Sequence, residues 1–258
     1  MPRRPLVIAN WKMNLTVAES QRLATAYRRA KWTEVEVVIA PTAPALSVVR
    51  QAIGRSRHLW LAGQDSAWAD RGAYTGEVSP LVLKELGCHY VILGHSERKT
   101  YFHETIDATA QRLRAALAHD LIPVVCVGES EAEHRDGRAD QVVSAQVETL
   151  LADLPAPLRN KPVVISYEPF WTISTSGGKL PSRAELQHRS RVIWQALINV
   201  FGHGAAVDHC RVIYGGTINA TTAQLITDLS EISGALVGSA AQHLATLGPL
   251  IKALTLAR

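Results

Sequence analysis

Three side chains of different chemistry stand where apolar runs of this chain stop: Lys12 after LVIANW, His95 after YVILG and Glu168 after VVISY. A cation, an uncharged hydrogen-bond donor and a carboxylate form a set suited to enolising a carbonyl compound, because the carboxylate takes a proton from carbon while the other two stabilise charge on oxygen. Each has a plainer explanation alone. Glu168 could be the first exposed residue after a strand, Lys12 a lysine that snorkels to solvent, and His95 a structural histidine. Coincidence accounts for each member but not for the set. Ser96-Glu97-Arg98 begins something helical after His95, and the positive potential of a helix N-terminus favours the neutral imidazole.

The run ending in Glu168 sits within residues 163–182, VVISYEPFWTISTSGGKLPS. β-Branched residues without helical spacing predict a strand buried on both faces, and Pro169 lacks the N–H needed to extend it. A loop rich in Ser, Thr and Gly follows. A carboxylate on a strand's C-terminal lip, next to a loop able to close over it, is a position for a general base shielded from water. Asn10 and Lys12, two apart at the end of the first run, are predicted to share a strand face.

Comparable runs recur at 6–12, 35–41, 59–64, 90–96, 122–129, 163–169, 211–216 and 234–239. Between them lie segments with apolar residues at three- and four-residue spacing, among them 16–31, 105–119, 182–201 and 244–256, which predict helices. Strict alternation means parallel strands joined by crossovers. Eight such units in 258 residues favour an α/β fold of the closed (β/α)8 barrel type, one domain over 1–258, above an open doubly wound sheet. Against the open sheet, the first run leads into Asn10-Trp11-Lys12-Met13-Asn14 and not into G-x-G-x-x-G. In such barrels chemistry gathers at the C-terminal ends of the strands. The last two runs end in the turns Tyr214-Gly215-Gly216-Thr217 and Val237-Gly238-Ser239-Ala240. Backbone N–H groups there would form a phosphate site, so a small phosphorylated carbonyl compound is the implied substrate.

Composition narrows the alternatives. Hydrophobic residues at 47% with 19% charged fit a soluble globular enzyme, and a net charge of +4 suits an anionic substrate without amounting to a nucleic-acid footprint. Arg28, Arg29 and Lys31 read as a solvated helix end. Cys88, Cys126 and Cys210 are odd in number and widely spaced, and the ten histidines show no ligand spacing, so neither a disulfide framework nor a metal site is indicated. A reducing cytoplasm is the expected location, and no run approaches membrane-spanning length or a signal-peptide core. Ser176-Gly177-Gly178-Lys179 matches S-x-x-K by chance, and Leu180 stands where a P-loop needs Ser or Thr.

Several segments, taken together and in order, resemble the triosephosphate isomerase family over essentially the whole chain. They are Ala9-Asn10-Trp11-Lys12-Met13-Asn14, residues 72–80 (GAYTGEVSP), Leu93-Gly94-His95-Ser96-Glu97-Arg98, Val125-Cys126-Val127-Gly128-Glu129, Tyr167-Glu168-Pro169-Phe170-Trp171, Tyr214-Gly215-Gly216 and Gly234-Ala235-Leu236-Val237-Gly238. The resemblance implies a TIM barrel that interconverts dihydroxyacetone phosphate and glyceraldehyde 3-phosphate, a step of glycolysis and gluconeogenesis. It implies Glu168 as base and neutral His95 as electrophile, a division of roles already known for this family. Lys12 would supply positive potential, with Glu97 its partner and Asn10 a further donor. Phosphate would be held near Ser174, Thr217, Gly238 and Ser239. Cys126, Glu129 and Tyr214 fall in the matching segments as supporting residues. The segment around Thr75 resembles the family's interdigitating loop, so a homodimer is expected, with no metal or organic cofactor and no nucleic-acid or membrane partner.

The chain departs from the family pattern in places. Residues 173–179 read as a loop with two extra residues at its tip. Ser239 replaces a glycine, which would strain the backbone if that position needs positive φ. Thr217 replaces serine, Asp65 replaces asparagine, and Lys99 replaces arginine. Two rivals follow: an isomerase of a four-carbon ketose phosphate, and a non-catalytic barrel that binds phosphorylated metabolites. The intact Lys12, His95 and Glu168 argue against the second, because a binder needs no base.

Overall fold

The computed structural model describes residues 3–172 and 180–255. Its eight strands are β1 (Leu6–Asn10), β2 (Glu36–Ala40), β3 (Leu59–Gly63), β4 (Tyr90–Leu93), β5 (Ile122–Val127), β6 (Val163–Tyr167), β7 (Cys210–Tyr214) and β8 (Gly234–Val237). All neighbours pair in parallel, and β8 returns to β1 to close the barrel. Every residue of β1, β6 and β8 is buried. A parallel sheet wrapped by helices covers both faces, which is why these runs are apolar throughout and do not alternate with polar residues.

The two-residue period divides the buried strand residues into two cores. Leu6, Ile8, Val38, Val124, Cys126 and Val164 belong to the group inside the barrel, while Val7, Ala9, Val37, Val125 and Ile165 pack outward with the helices. Continuing the inner series by steps of two puts Asn10 after Ile8, and Ser166 and Glu168 after Val164, on the inner face at the C-terminal rim.

The helices hold this cylinder. Val17–Ala30 and Arg183–Phe201 open with reciprocal capping boxes, Thr16 with Glu19 and Ser182 with Glu185. Each such cap contributes about 1 kcal/mol by pairing N–H groups that the first helical turn leaves without partners. Thr105 caps Ile106–Ala118, and the last helix spans Leu244–Thr255. Arg28, Arg29 and Lys31 are exposed at the end of the first helix, with Lys31 as its left-handed C-cap. No helix among the described residues is long and apolar enough to cross a membrane.

After β3 the chain leaves the barrel at Asp65, which sits in a cluster of unlike charges. Arg98 lies 2.9 Å from Asp65 and 2.6 Å from Glu104, and Arg112 contacts Asp65, Glu104 at 3.0 Å and Glu77 at 3.3 Å. Three carboxylates thus share two guanidiniums. Burial pushes the Asp65 carboxyl up to about 6, against the pull of Arg112. A carboxyl raised on folding contributes stability that is complete below its ordinary value near 4 and is lost as pH rises through about 6. Asp65→Asn should therefore flatten the dependence of the thermal midpoint on pH between about 4 and 6. Thermal scans of both proteins across this window check the prediction, and an unchanged slope would refute it.

Candidate active site

Glu168 continues the ladder of β6 by one residue: its N–H donates to the Val127 carbonyl at 2.7 Å, and Pro169 then ends the pairing. The residue is not the exposed end of a strand. It is 1% exposed, and its Oε2 accepts from the Ser96 N–H at 3.3 Å. Oε1 has no N–H or O–H donor among the described residues and lies 3.8 Å from His95 Nε2. Gly215 makes the space. A Cβ there would stand 2.5 Å from Glu168 Cγ and 2.9 Å from Oε1, besides striking the Ser166 hydroxyl. Burial pushes the Cys126 thiol well above its ordinary range, and the adjacent Glu168 carboxylate pushes it further, so a neutral thiol lines the carboxylate's inner side.

His95 is the N-cap of the short helix Ser96–Phe102, and Gly94, with φ of 63°, turns the chain out of β4 to put it there. Its Nδ1 accepts the Glu97 N–H at 3.2 Å. An imidazole nitrogen that accepts cannot also carry a hydrogen, so the proton sits on Nε2, which faces Glu168.

Lys12 reaches the site by a route that strand alternation does not describe. β1 stops at Asn10, and Lys12 has φ of 51°. Asn10 and Lys12 therefore do not share a strand face; a turn aims the lysine. The Lys12 N–H donates to Asn10 Oδ1 at 3.0 Å, and Gln64 Nε2 donates to the Lys12 carbonyl at 2.8 Å and the Ala40 carbonyl at 2.9 Å. These bonds hold a left-handed lysine that would otherwise cost about 1–2 kcal/mol. Its Nζ donates to Glu97 Oε1 at 2.7 Å, the expected pairing.

The glycine turns after β7 and β8 meet between these groups. A cavity of about 50 Å³ is lined by Lys12, His95, Gly215, Gly216, Thr217, Gly238 and Ser239. Ser239 opens a 3-10 turn, Ser239–Gln242, whose first N–H has no intrahelical acceptor. It is not among the residues with positive φ, so the strain expected from replacing glycine does not arise. The Thr217 hydroxyl donates to the Thr172 carbonyl at 2.7 Å, so the side chain is already committed where Thr217 lines the cavity. Tyr214 is buried below, where a Cβ on Gly216 would meet its hydroxyl. Ser174 lies outside the described residues, as does the rest of 173–179.

Glu129 holds the segment from Tyr167 to Trp171. It is fully buried, accepts from the Tyr167 hydroxyl at 3.1 Å and from Trp171 Nε1 at 3.0 Å, and its carbonyl accepts the Phe170 N–H at 3.0 Å. Lys99 donates to the Cys126 carbonyl at 2.9 Å, and burial lowers its ammonium from the ordinary value. Sequence reasoning assigned no role to Gln64 or Ser96. Gln64 ends the third apolar run and Ser96 follows His95, so position at a strand end was the available signal, yet bonds through side-chain amides and backbone N–H groups leave no periodicity to read.

A closed barrel of this kind, with a buried carboxylate, an Nε2-protonated imidazole and an ammonium around a glycine-walled anion cavity, defines a barrel enzyme that moves protons on a small anionic carbonyl compound. The triosephosphate isomerase family model matches residues 5–254. The chain is similar to the triosephosphate isomerase of Chlorobium luteolum, 40% identical over 254 residues, which are 97% of this chain and 99% of the relative. It is also similar to those of Alkaliphilus metalliredigens and Moorella thermoacetica, 38% and 39% identical, each match covering 92% of this chain and 94% of the relative. The chain belongs to the triosephosphate isomerase family. It is an intramolecular aldose–ketose isomerase.

Gly215→Ala tests the fit around the base. The added methyl should displace the Glu168 carboxylate and lower kcat by about 100-fold, the scale of a 1 Å misplacement, while far-ultraviolet circular dichroism stays unchanged. Full kcat in the folded variant would contradict the packing just described.

Proposed function

We propose that this chain interconverts dihydroxyacetone phosphate and D-glyceraldehyde 3-phosphate through an enediolate, with Glu168 moving the proton between adjacent carbons. The observation that carries this reading is the uncommitted Oε1 of a buried Glu168 beside the Nε2–H of His95. In this division of labour, already known for the family, Glu168 takes the proton from the carbon next to the carbonyl and returns it to the neighbouring carbon. His95 donates from Nε2 to the carbonyl oxygen and relays protons between the two oxygens of the intermediate. Lys12 and Asn10 stabilise the charge that develops, in a site where low dielectric strengthens each interaction. The N–H groups of Thr217 and Ser239 and the nearby Gly238 backbone hold the phosphate. Ser174 would add a further donor when the segment following Trp171 closes over the substrate and keeps water from the intermediate.

The functional unit on this reading is a homodimer in the cytoplasm. Met13 is 88% exposed and Phe102 65% exposed beside a groove of about 500 Å³ that reaches Lys12, Gln64 and His95. Thr75 is at the exposed part of the segment between β3 and β4, where Tyr74 packs on Trp68 at 5.0 Å. A copy of this segment in that groove would cover both apolar surfaces and wall the site.

A coupled assay with three- and four-carbon substrates separates the readings: preference for the longer substrate overturns the triose assignment, and absence of turnover with either favours a binding barrel. Glu168→Asp, which withdraws the carboxylate by one methylene, should lower kcat by about 100-fold or more with a smaller change in KM. Thr75→Arg should shift sedimentation from two copies to one and reduce turnover by at least about tenfold, since a charge buried without a partner opposes association.

A further inference from the structure

The opposite end of the barrel has a pocket that isomerisation does not use. A cavity of about 430 Å³ opens among Arg3, Arg4, Arg57 and Arg211, with Glu36 and Asp208 as the carboxylates of its lining. Its apolar wall includes Trp60, Tyr90, Ile122 and Val164, from the first or second positions of β3, β4, β5 and β6. It therefore lies at the N-terminal mouth, roughly 16 Å from the catalytic rim for strands of this length.

The charge there is unbalanced. Glu36 is already committed, accepting from the Tyr90 hydroxyl and from Arg211 at 3.0 Å. Arg3 donates to the carbonyls of Cys210 and Asp208, and Arg4 donates to His58 Nδ1 at 2.8 Å. Arg57 is exposed. Among the described residues, no ion pair to a carboxylate is formed by Arg3, Arg4 or Arg57, whereas Arg211 pairs with Glu36. The buried Nε of Arg211 has no acceptor. Four guanidiniums against two carboxylates leave the mouth with a formal charge of +2. Guanidinium forks match phosphate oxygens in pairs, and a cavity of this size with an apolar wall can also enclose a ring system.

We infer that the N-terminal mouth of the barrel binds an aromatic phosphate of mononucleotide size, its phosphate on Arg4 and Arg57 and its ring against Trp60, Ile122 and Val164. This assignment is independent of the isomerase reading, because no residue is common to the two sites.

Calorimetric titration with adenosine 5′-monophosphate tests it, with inorganic phosphate and adenosine as separate arms. The nucleotide should bind saturably, and each fragment at least about tenfold more weakly. Arg57→Glu and Arg4→Ala, tested singly, should each weaken the nucleotide by about tenfold or more while leaving isomerase turnover unchanged. Lys12→Ala, which disables the other anion cavity, should leave nucleotide affinity within about twofold. The proposal is overturned by absence of saturation at millimolar nucleotide, by inorganic phosphate binding equally well, or by loss of binding in Lys12→Ala with retention in Arg57→Glu.

Discussion

The architecture depends on keeping one buried carboxylate half-free. Removing an ionised carboxylate from water costs several kcal/mol, and the usual remedy of saturating both oxygens with donors would leave nothing to accept a proton from carbon. Glu168 resolves the conflict by division: Oε2 takes the Ser96 N–H, while Oε1 has no hydrogen-bond partner among the described residues and lies 3.8 Å from His95 Nε2. The half-buried Lys99 donates to the Cys126 carbonyl and lies close enough to Glu168 for their charges to interact. Gly215 contributes by absence, since any side chain would occupy the carboxylate's place.

The same economy governs the cationic side of the site. Lys12 sits in a backbone conformation that lysine disfavours, and the cost is met by bonds from neighbouring strand ends: the Asn10 side chain closes the turn, and Gln64 ties it to the end of β2. Glu97 then accepts from Lys12 through its side chain and donates to His95 through its backbone. One residue thereby sets the position of the ammonium and the tautomer of the imidazole. A strained turn of this kind survives only where a rigid frame over-determines it, and the closed barrel is such a frame.

The barrel also has electrostatic polarity. At the C-terminal rim Lys12 faces a narrow cavity walled by the glycine turns after β7 and β8. At the N-terminal mouth it comes from arginine side chains over apolar strand starts. Backbone donors hold an anion at a defined position, as chemistry requires, whereas flexible arginines bind anions with less positional control. The proposed catalysis at the first end and the proposed recognition at the second are consistent with that difference.

The order of apolar runs and helical spacings was enough for the sequence to favour the closed barrel over an open sheet. Periodicity is a local property, and eight repeats leave few alternatives. Strand-end position and resemblance also marked Glu168, His95 and Lys12. Tertiary structure alone decided how they are placed. The left-handed turn at Lys12, the bond that leaves the His95 proton on Nε2, the relaxed backbone of Ser239, and the vacancy at Gly215 that admits the carboxylate all arise between segments far apart in the chain. Local spacing holds no record of such contacts, because they exist only once the barrel has closed and brought its strand ends to a common rim.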